Sequence, residues 1–125
     1  MMEITSGIDM VEIERFRSLT HEIRSRFLHR VFTPEEITEC AGRDESLAAR
    51  FAAKEAAAKA LGCGIGKVSW QDIETRLDEN GKPTLILSGA ALETANHLAW
   101  KSWSISISHT REYAIAIVSA LYTVE

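Results

Sequence analysis

Asp9, Glu55, Lys59 and His109 are the side chains of this sequence whose types and settings could do chemistry. Asp9 stands just past Gly7, where a strand gives way to a helix. Polar groups at strand ends are well placed for function, and the same position suits an ordinary cap or turn former. Glu55 lies mid-helix in Arg50-Phe51-Ala52-Ala53-Lys54-Glu55-Ala56-Ala57-Ala58-Lys59, and the alanines around it would admit a close neighbour. Lys59 follows on the same face, a spacing that also describes a simple i,i+4 ion pair. His109 closes an alternating Ser/Ile strand, a place where one histidine is usually exposed and idle. Gly64 and Gly66, in Cys63-Gly64-Ile65-Gly66, could bring backbone amides to a phosphate, but they match neither a Walker loop nor a dinucleotide fingerprint. Cys40 and Cys63 form no zinc-ligand pattern. By residue type alone, the chain reads as a soluble α+β domain with a basic helical edge.

The elements that must position these side chains follow from periodicity. The spacing predicts a strand over Glu3–Val11 entering a turn, then an amphipathic helical stretch from Glu12 to Phe32, broken near Thr20–His21. Its apolar positions Phe16, Leu19, Ile23 and Phe27 are expected inward. Thr33-Pro34-Glu35-Glu36 reads as a helix start, with Thr as cap and Pro at the first helical position. That helix is short and ends before Gly42. Ser46–Leu61 is rich in Ala, Leu, Lys, Arg and Glu and is stopped by Gly62, so it is the long central helix. Strands over Trp70–Leu77 and Thr84–Leu87 flank Asp78-Glu79-Asn80-Gly81, a hairpin with Asn-Gly at its tip. Pro83 keeps the second strand's start at an edge or an unpaired position. Ala90–Ala99 reads as a short helix. Trp103–Ser108 alternates Trp/Ile with Ser, and Tyr113–Val118 is its natural partner. The class is α+β, an antiparallel sheet packed against a long central helix and shorter helices.

At 125 residues the chain fits one domain, 1–125, with a core that needs no staples. No apolar run approaches the roughly 20 residues that span a bilayer, and no signal peptide is readable at the amino terminus. Two isolated thiols without an export signal read as reduced cysteines of the cytoplasm. A net charge of −4 argues against nucleic acid as a partner. Between Arg15 and Arg30, however, five arginines (Arg15, Arg17, Arg24, Arg26, Arg30) face a single carboxylate, Glu22. A local basic surface on an acidic protein suggests one anionic partner, against the commoner reading of a solvated helical face.

The motifs in combination carry more than each alone. Gly7-Ile8-Asp9-Met10-Val11-Glu12-Ile13-Glu14-Arg15-Phe16 resembles the opening signature of the holo-[acyl-carrier-protein] synthases, the small trimeric type within the 4'-phosphopantetheinyl transferase family. Arg50 to Ala56, running on through Lys59-Ala60-Leu61-Gly62, resembles their central helix motif. Gly64-Ile65-Gly66, Asn80-Gly81-Lys82-Pro83 and Ser106-Ile107-Ser108-His109 follow in the family's order, so the resemblance spans nearly the whole chain. One small departure is Thr75 in Ile73-Glu74-Thr75, where the family often has Val.

The resemblance implies a 4'-phosphopantetheinyl transferase-like fold and a magnesium-dependent transferase. Such an enzyme moves 4'-phosphopantetheine from coenzyme A to a serine of apo acyl carrier protein, releasing adenosine 3',5'-bisphosphate, in fatty acid biosynthesis. It implies Asp9 and Glu55 as magnesium ligands, chemistry that suits a cation taking one or two carboxylates plus phosphates. It implies Lys59 as a catalytic group beside the diphosphate, and Arg50, Lys59, Gly64, Gly66 and His109 as coenzyme A contacts. A water held by the metal and Glu55 is preferred over His109 as general base. Arg15, Arg17, Arg24 and Arg26 are expected to receive the acidic carrier protein. The family implies a homotrimer with sites between subunits, with which the apolar row of Trp103–Ser108 is compatible, as it is with an ordinary core. Two readings compete: a transferase serving a polyketide or peptide synthase, whose broad-specificity branch is usually much longer, and a noncatalytic nucleotide-binding or scaffold module, against which both carboxylates stand.

Overall fold

The computed structural model describes residues 1–125. The chain begins with β1 (Met2–Glu12), followed by α1 (Glu14–Arg17), α2 (His21–Val31), α3 (Pro34–Cys40) and α4 (Asp44–Leu61). A 3-10 turn at Trp70–Asp72 leads into β2 (Ile73–Leu77), β3 (Pro83–Leu87), α5 (Gly89–His97), β4 (Trp100–His109) and β5 (Tyr113–Thr123). All strand pairing is antiparallel, in two ladders: three strands ordered β1-β5-β4, and the separate hairpin β2-β3. The α+β class and the long central helix are as the periodicity predicts.

α4 is the axle of the molecule. Every residue from Leu47 to Leu61 is buried except Glu55 and Lys59. A helix enclosed on nearly all sides must be small and apolar nearly all round, and its alanines meet that requirement. Opposite them, β5 turns Ala114, Ala116, Val118 and Ala120 inward, so helix and sheet approach closely. The closest approach is at Gly7 of β1, where a Cβ would stand 2.0 Å from the Ala56 carbonyl oxygen and 2.7 Å from the Ala60 nitrogen. Only glycine lets strand backbone lie against helix backbone here. Gly62, at φ 73°, ends α4 in the left-handed region, and the Cys63 amide donates to the Ala58 carbonyl at 3.1 Å.

Local rules account for much of the rest. Thr33 and Glu36 cap α3 reciprocally, the Thr33 hydroxyl accepting from the Glu36 amide at 3.2 Å and the Glu36 carboxylate accepting from the Thr33 amide at 3.1 Å. The helical stretch after β1 breaks at Ser18–Thr20, next to the expected point. Two expectations are corrected. Trp70–Asp72 is helical rather than strand, because the Ser69 hydroxyl accepts from the Gln71 amide and Asp72 reaches back to the Ser69 amide at 3.2 Å. Ile23 is 49% exposed rather than inward, since α2 rests on the core through Phe27, Leu28 and Val31 instead.

The face of the large sheet away from α4 is uncovered. Ile4, Ile8 and Met10 of β1 are 70%, 54% and 61% exposed, and Ile117 and Leu121 of β5 pair beside them. β4 contributes serines to this face, while Trp103, Ile105 and Ile107 point toward the core. The apolar row of β4 is therefore core, and the open apolar surface belongs to β1 and β5.

Candidate active site

Glu55 and Lys59 leave the buried axle through one window, and β1 delivers Asp9 to it. Because Gly7 holds β1 against Ala56 and Ala60, the Lys59 ammonium donates to Asp9 Oδ1 at 3.0 Å and to the Ile8 carbonyl at 2.9 Å. Burial raises the Glu55 carboxyl above its ordinary value, and the charge of Asp9 raises it further, while Lys59 and Arg15 pull it down. Two carboxylates are thus brought together from elements remote in sequence, with one ammonium beside them. Like charges held in a partly desolvated place are a mark of functional sites.

The donor set bears on what cation would fit. No group of three or more His, Cys, Asp or Glu side chains comes together anywhere in the fold. Two carboxylates suit magnesium, which completes its shell with water and phosphate oxygens, better than a cation that needs an all-protein cage. Asp9 and Glu55 are the residues that would hold it, and a bound cation would stabilise both in their charged form.

Arg50 and His109 lie elsewhere, in a cleft of about 210 Å³ that also receives Arg43, Ser46 and Thr75 and includes neither Asp9 nor Glu55. Arg50 is 5% exposed and donates from Nη1 to Glu39 Oε1 at 2.8 Å and to the Thr75 carbonyl at 3.0 Å. His109 is exposed, its Nδ1 3.4 Å from the Thr110 carbonyl oxygen. Arg43 escaped the sequence reading although it left a signal. It occupies the N-cap of α4, where a short polar residue belongs and where a cation opposes the helix dipole. A residue that breaks a local rule in this way marks a candidate functional position. Arg43, Arg50 and His109 around one cleft could offset a phosphate's charge, although Glu45 lines the same cleft and Glu39 already engages both arginines.

Gly64 and Gly66 lie in the loop between α4 and the 3-10 turn, with nothing within 4 Å of an added Cβ at either one, although Gly66 at φ 129° requires glycine for its backbone. That openness leaves room along the loop's backbone.

The arginines divide. Arg15 is exposed, lies 5.8 Å over the Phe51 ring and acts electrostatically on Glu55. Arg17 donates to the Arg111 carbonyl at 3.2 Å and lies 3.6 Å from Glu14. Arg26 is exposed and makes no ion pair. Arg24 is different. It donates to the Phe16 carbonyl at 2.9 Å and the Gly42 carbonyl at 3.1 Å, and approaches Asp44 Oδ1 at 2.6 Å. The last contact has the distance of an ion pair but not hydrogen-bond alignment. Arg24 thus clamps α2 to the start of α4 and is not free for a partner.

Comparison with known proteins places the chain in a family. Residues 6–118 match the family model described as the 4'-phosphopantetheinyl transferase superfamily. The chain is 44% identical over 122 residues to the holo-[acyl-carrier-protein] synthase of Herpetosiphon aurantiacus, covering 92% of this chain and 96% of that protein. The crystal structure of the Helicobacter pylori holo-[acyl-carrier-protein] synthase in complex with coenzyme A superposes with a TM-score of 0.83 at 37% identity, covering 92% of this chain and 98% of that one. That of the Bacillus anthracis enzyme, in complex with CoA (3',5'-ADP), gives 0.78 at 37% identity over 98% and 100%.

Proposed function

The chain belongs to the 4'-phosphopantetheinyl transferase superfamily, and we propose that it uses the Glu55 window, with magnesium, to do the work of a holo-[acyl-carrier-protein] synthase. It transfers 4'-phosphopantetheine from coenzyme A to a serine of apo acyl carrier protein, as its named relatives and their coenzyme A complexes support. The observation that carries the assignment to this window is the convergence of Asp9, Glu55 and Lys59, the last within 3.0 Å of the first, at the one opening in a buried helix.

The chemistry asks for two things: diphosphate charge must be offset, and the attacking serine must lose its proton. Magnesium, held by Asp9 and Glu55, would neutralise diphosphate oxygens when bound. The Lys59 ammonium can follow the charge that grows on the leaving phosphate as the P–O bond to phosphopantetheine breaks. Glu55, kept charged by the cation it would help hold, can take the serine proton through a water. His109 is poorly sited for that duty, since its cleft excludes Glu55. With Arg43 and Arg50 it suits the 3'-phosphate of coenzyme A, and the Gly64–Gly66 loop suits the nucleotide.

The arginine-rich edge would receive the acidic carrier protein, through Arg15, Arg17 and Arg26 and without Arg24. Arg15 joins that edge to Glu55, so a serine docked there arrives beside the proton acceptor. The open apolar face of β1 and β5 supports assembly into the trimer that the family resemblance implies, with sites completed between subunits. A monomer by light scattering that still turns over would remove the intersubunit site. The setting is the cytoplasm and fatty acid biosynthesis, in keeping with free cysteines, of which Cys40 is buried with its thiol pushed up to about 11 by desolvation. No helix is long and apolar enough to cross a membrane.

Incubation with apo carrier protein, coenzyme A and magnesium tests the reading by mass spectrometry of the carrier. The mass of phosphopantetheine is expected on one serine; an unchanged carrier would refute it.

A further inference from the structure

Next to Glu55 in sequence stands a charged residue that the transfer chemistry does not use. Lys54 is fully buried, and its ammonium lies 2.7 Å from Glu36 Oε1. It also donates to the Trp70 carbonyl at 3.0 Å and to the Ile73 carbonyl, and it sits 5.5 Å over the Phe32 ring. Glu36 is equally buried. Its carboxylate caps α3 at Thr33 and accepts from the Thr75 amide at 3.0 Å. The contacts of the pair reach four pieces of chain: the end of α2, the start of α3, the 3-10 turn and β2.

Two of those contacts bear on ligand positions. The Gly64–Gly66 loop leaves α4 at Gly62 and ends at Trp70, so the Lys54–Trp70 and Lys54–Ile73 bonds fix the loop's far end to the same helix that launches it. Thr75, held by Glu36 through its amide, accepts the Arg50 guanidinium on its carbonyl at 3.0 Å. Arg50 itself lines the cleft with Arg43 and His109. One buried pair therefore sets both the glycine loop and the strand that orients Arg50.

We propose that Lys54 and Glu36 are positioning residues for coenzyme A, holding the Gly64–Gly66 loop and Arg50 each in the place the nucleotide requires. The inference rests on the assignment of that loop and cleft to coenzyme A made above. Stability alone is a weak reason for such a pair, since buried ion pairs are often replaceable by apolar residues at no cost. A positioning role gives a reason for the charges, because an ammonium can bond a carboxylate and two carbonyls at once where a methyl group bonds none.

The test separates the two roles. Lys54→Met alone leaves Glu36 buried without a countercharge and is expected to unfold the chain. Lys54→Met with Glu36→Met removes both charges and is expected to fold, while losing the tethers to Trp70, Ile73 and Thr75. Lys54→Arg keeps the countercharge, but a planar guanidinium cannot reproduce the ammonium's bonds. For both folded variants, the Michaelis constant and the calorimetric dissociation constant for coenzyme A should rise about tenfold, the scale of one or two lost hydrogen bonds. The constant for apo carrier should stay unchanged. Coenzyme A constants that match wild type in a folded variant would overturn the proposal, and Lys54→Arg decides alone if the double variant does not fold. Absence of transfer by the wild type would instead strike the functional reading, while calorimetry with coenzyme A would still report on the tethers.

Discussion

Lys54 and Glu55 are neighbours on one helix with opposite fates. Lys54 points into the dry side of α4, where a carboxylate and two carbonyls satisfy its ammonium. Glu55 points out of the window, where its nearest charges are a second carboxylate that opposes its ionisation and a lysine that favours it. One arrangement is complete as folded; the other becomes complete when something binds. The contrast teaches that charge on this helix is not one property. A satisfied buried pair holds the frame, and an incompletely compensated, half-open pair is where chemistry is to be sought.

The largest expected effect comes from cutting the dry side. Glu36→Leu leaves the Lys54 ammonium buried and unpaired, a change that typically costs about 3–5 kcal/mol. Asp9→Ala, on the wet side, should leave the melting temperature nearly unchanged and slow transfer about 10²–10³-fold. Calorimetric melts of both variants sharpen the comparison, and equal destabilisation would erase it.

Gly7→Ala should damage both sides at once. Its Cβ would lie 2.0 Å from the Ala56 carbonyl oxygen, so β1 must back away from α4. Overpacking of this kind costs about 1–3 kcal/mol, and the retreat carries Asp9 from Lys59. Transfer should fall even where the variant remains folded; a folded Gly7→Ala with wild-type rate would show that the close approach does not position Asp9.

A smaller effect is expected from reversing exposed charge. Arg15→Glu with Arg26→Glu should raise the Michaelis constant for carrier protein several-fold and leave that for coenzyme A in place, since opposite potentials govern encounter more than contact. Added salt should weaken wild-type docking as the Debye length falls from about 10 Å at 0.1 M to about 3 Å at 1 M. Arg24 is excluded from this pair because it clamps α2 to Gly42 and Asp44. Carrier kinetics indifferent to reversal and to salt would make the edge a solvated face.

The smallest effect is on the pH dependence of stability in metal-free protein. Glu55 in the folded chain holds its proton more tightly than in the unfolded chain, first through burial and then through Asp9. Its contribution to stability is thus fully present below the unfolded value and is lost as pH rises through the folded one. Asp9→Asn removes the second cause, so the decline with pH should flatten. Superimposable urea midpoints across that window would show that Asp9 does not act on Glu55.

Much of this could be read from sequence where a local rule decides the outcome. Gly62 stopped α4, Thr33 to Glu36 capped α3, and alternation in β4 put Trp103, Ile105 and Ile107 on one face, which the fold turns inward. Local rules failed where tertiary partners decide. Trp70 to Asp72 opens on a strand-favouring Trp, but Ser69 and Asp72 cap the segment into a turn. Ile23 has helical spacing, yet α2 is turned by the packing of Phe27 and Leu28. The Lys54–Glu36 pair has no signature at all, because its partners lie 18 residues apart and meet carbonyls that no sequence pattern marks. Asp9, Glu55 and Lys59 were legible as candidates only in combination, and their convergence depends on Gly7, whose role is visible only once strand meets helix.

The central claim is that Asp9 and Glu55 act as a unit. It is tested most directly by transfer rates of Asp9→Ala, Glu55→Ala and the double variant, measured with apo carrier, coenzyme A and magnesium. Each single substitution is expected to cost about 10²–10³-fold, the scale of a lost preorganised electrostatic group, and the double variant should be scarcely slower than either single, since residues that act together are not additive. Losses that multiply in the double variant, or full wild-type activity in EDTA, would contradict a shared site.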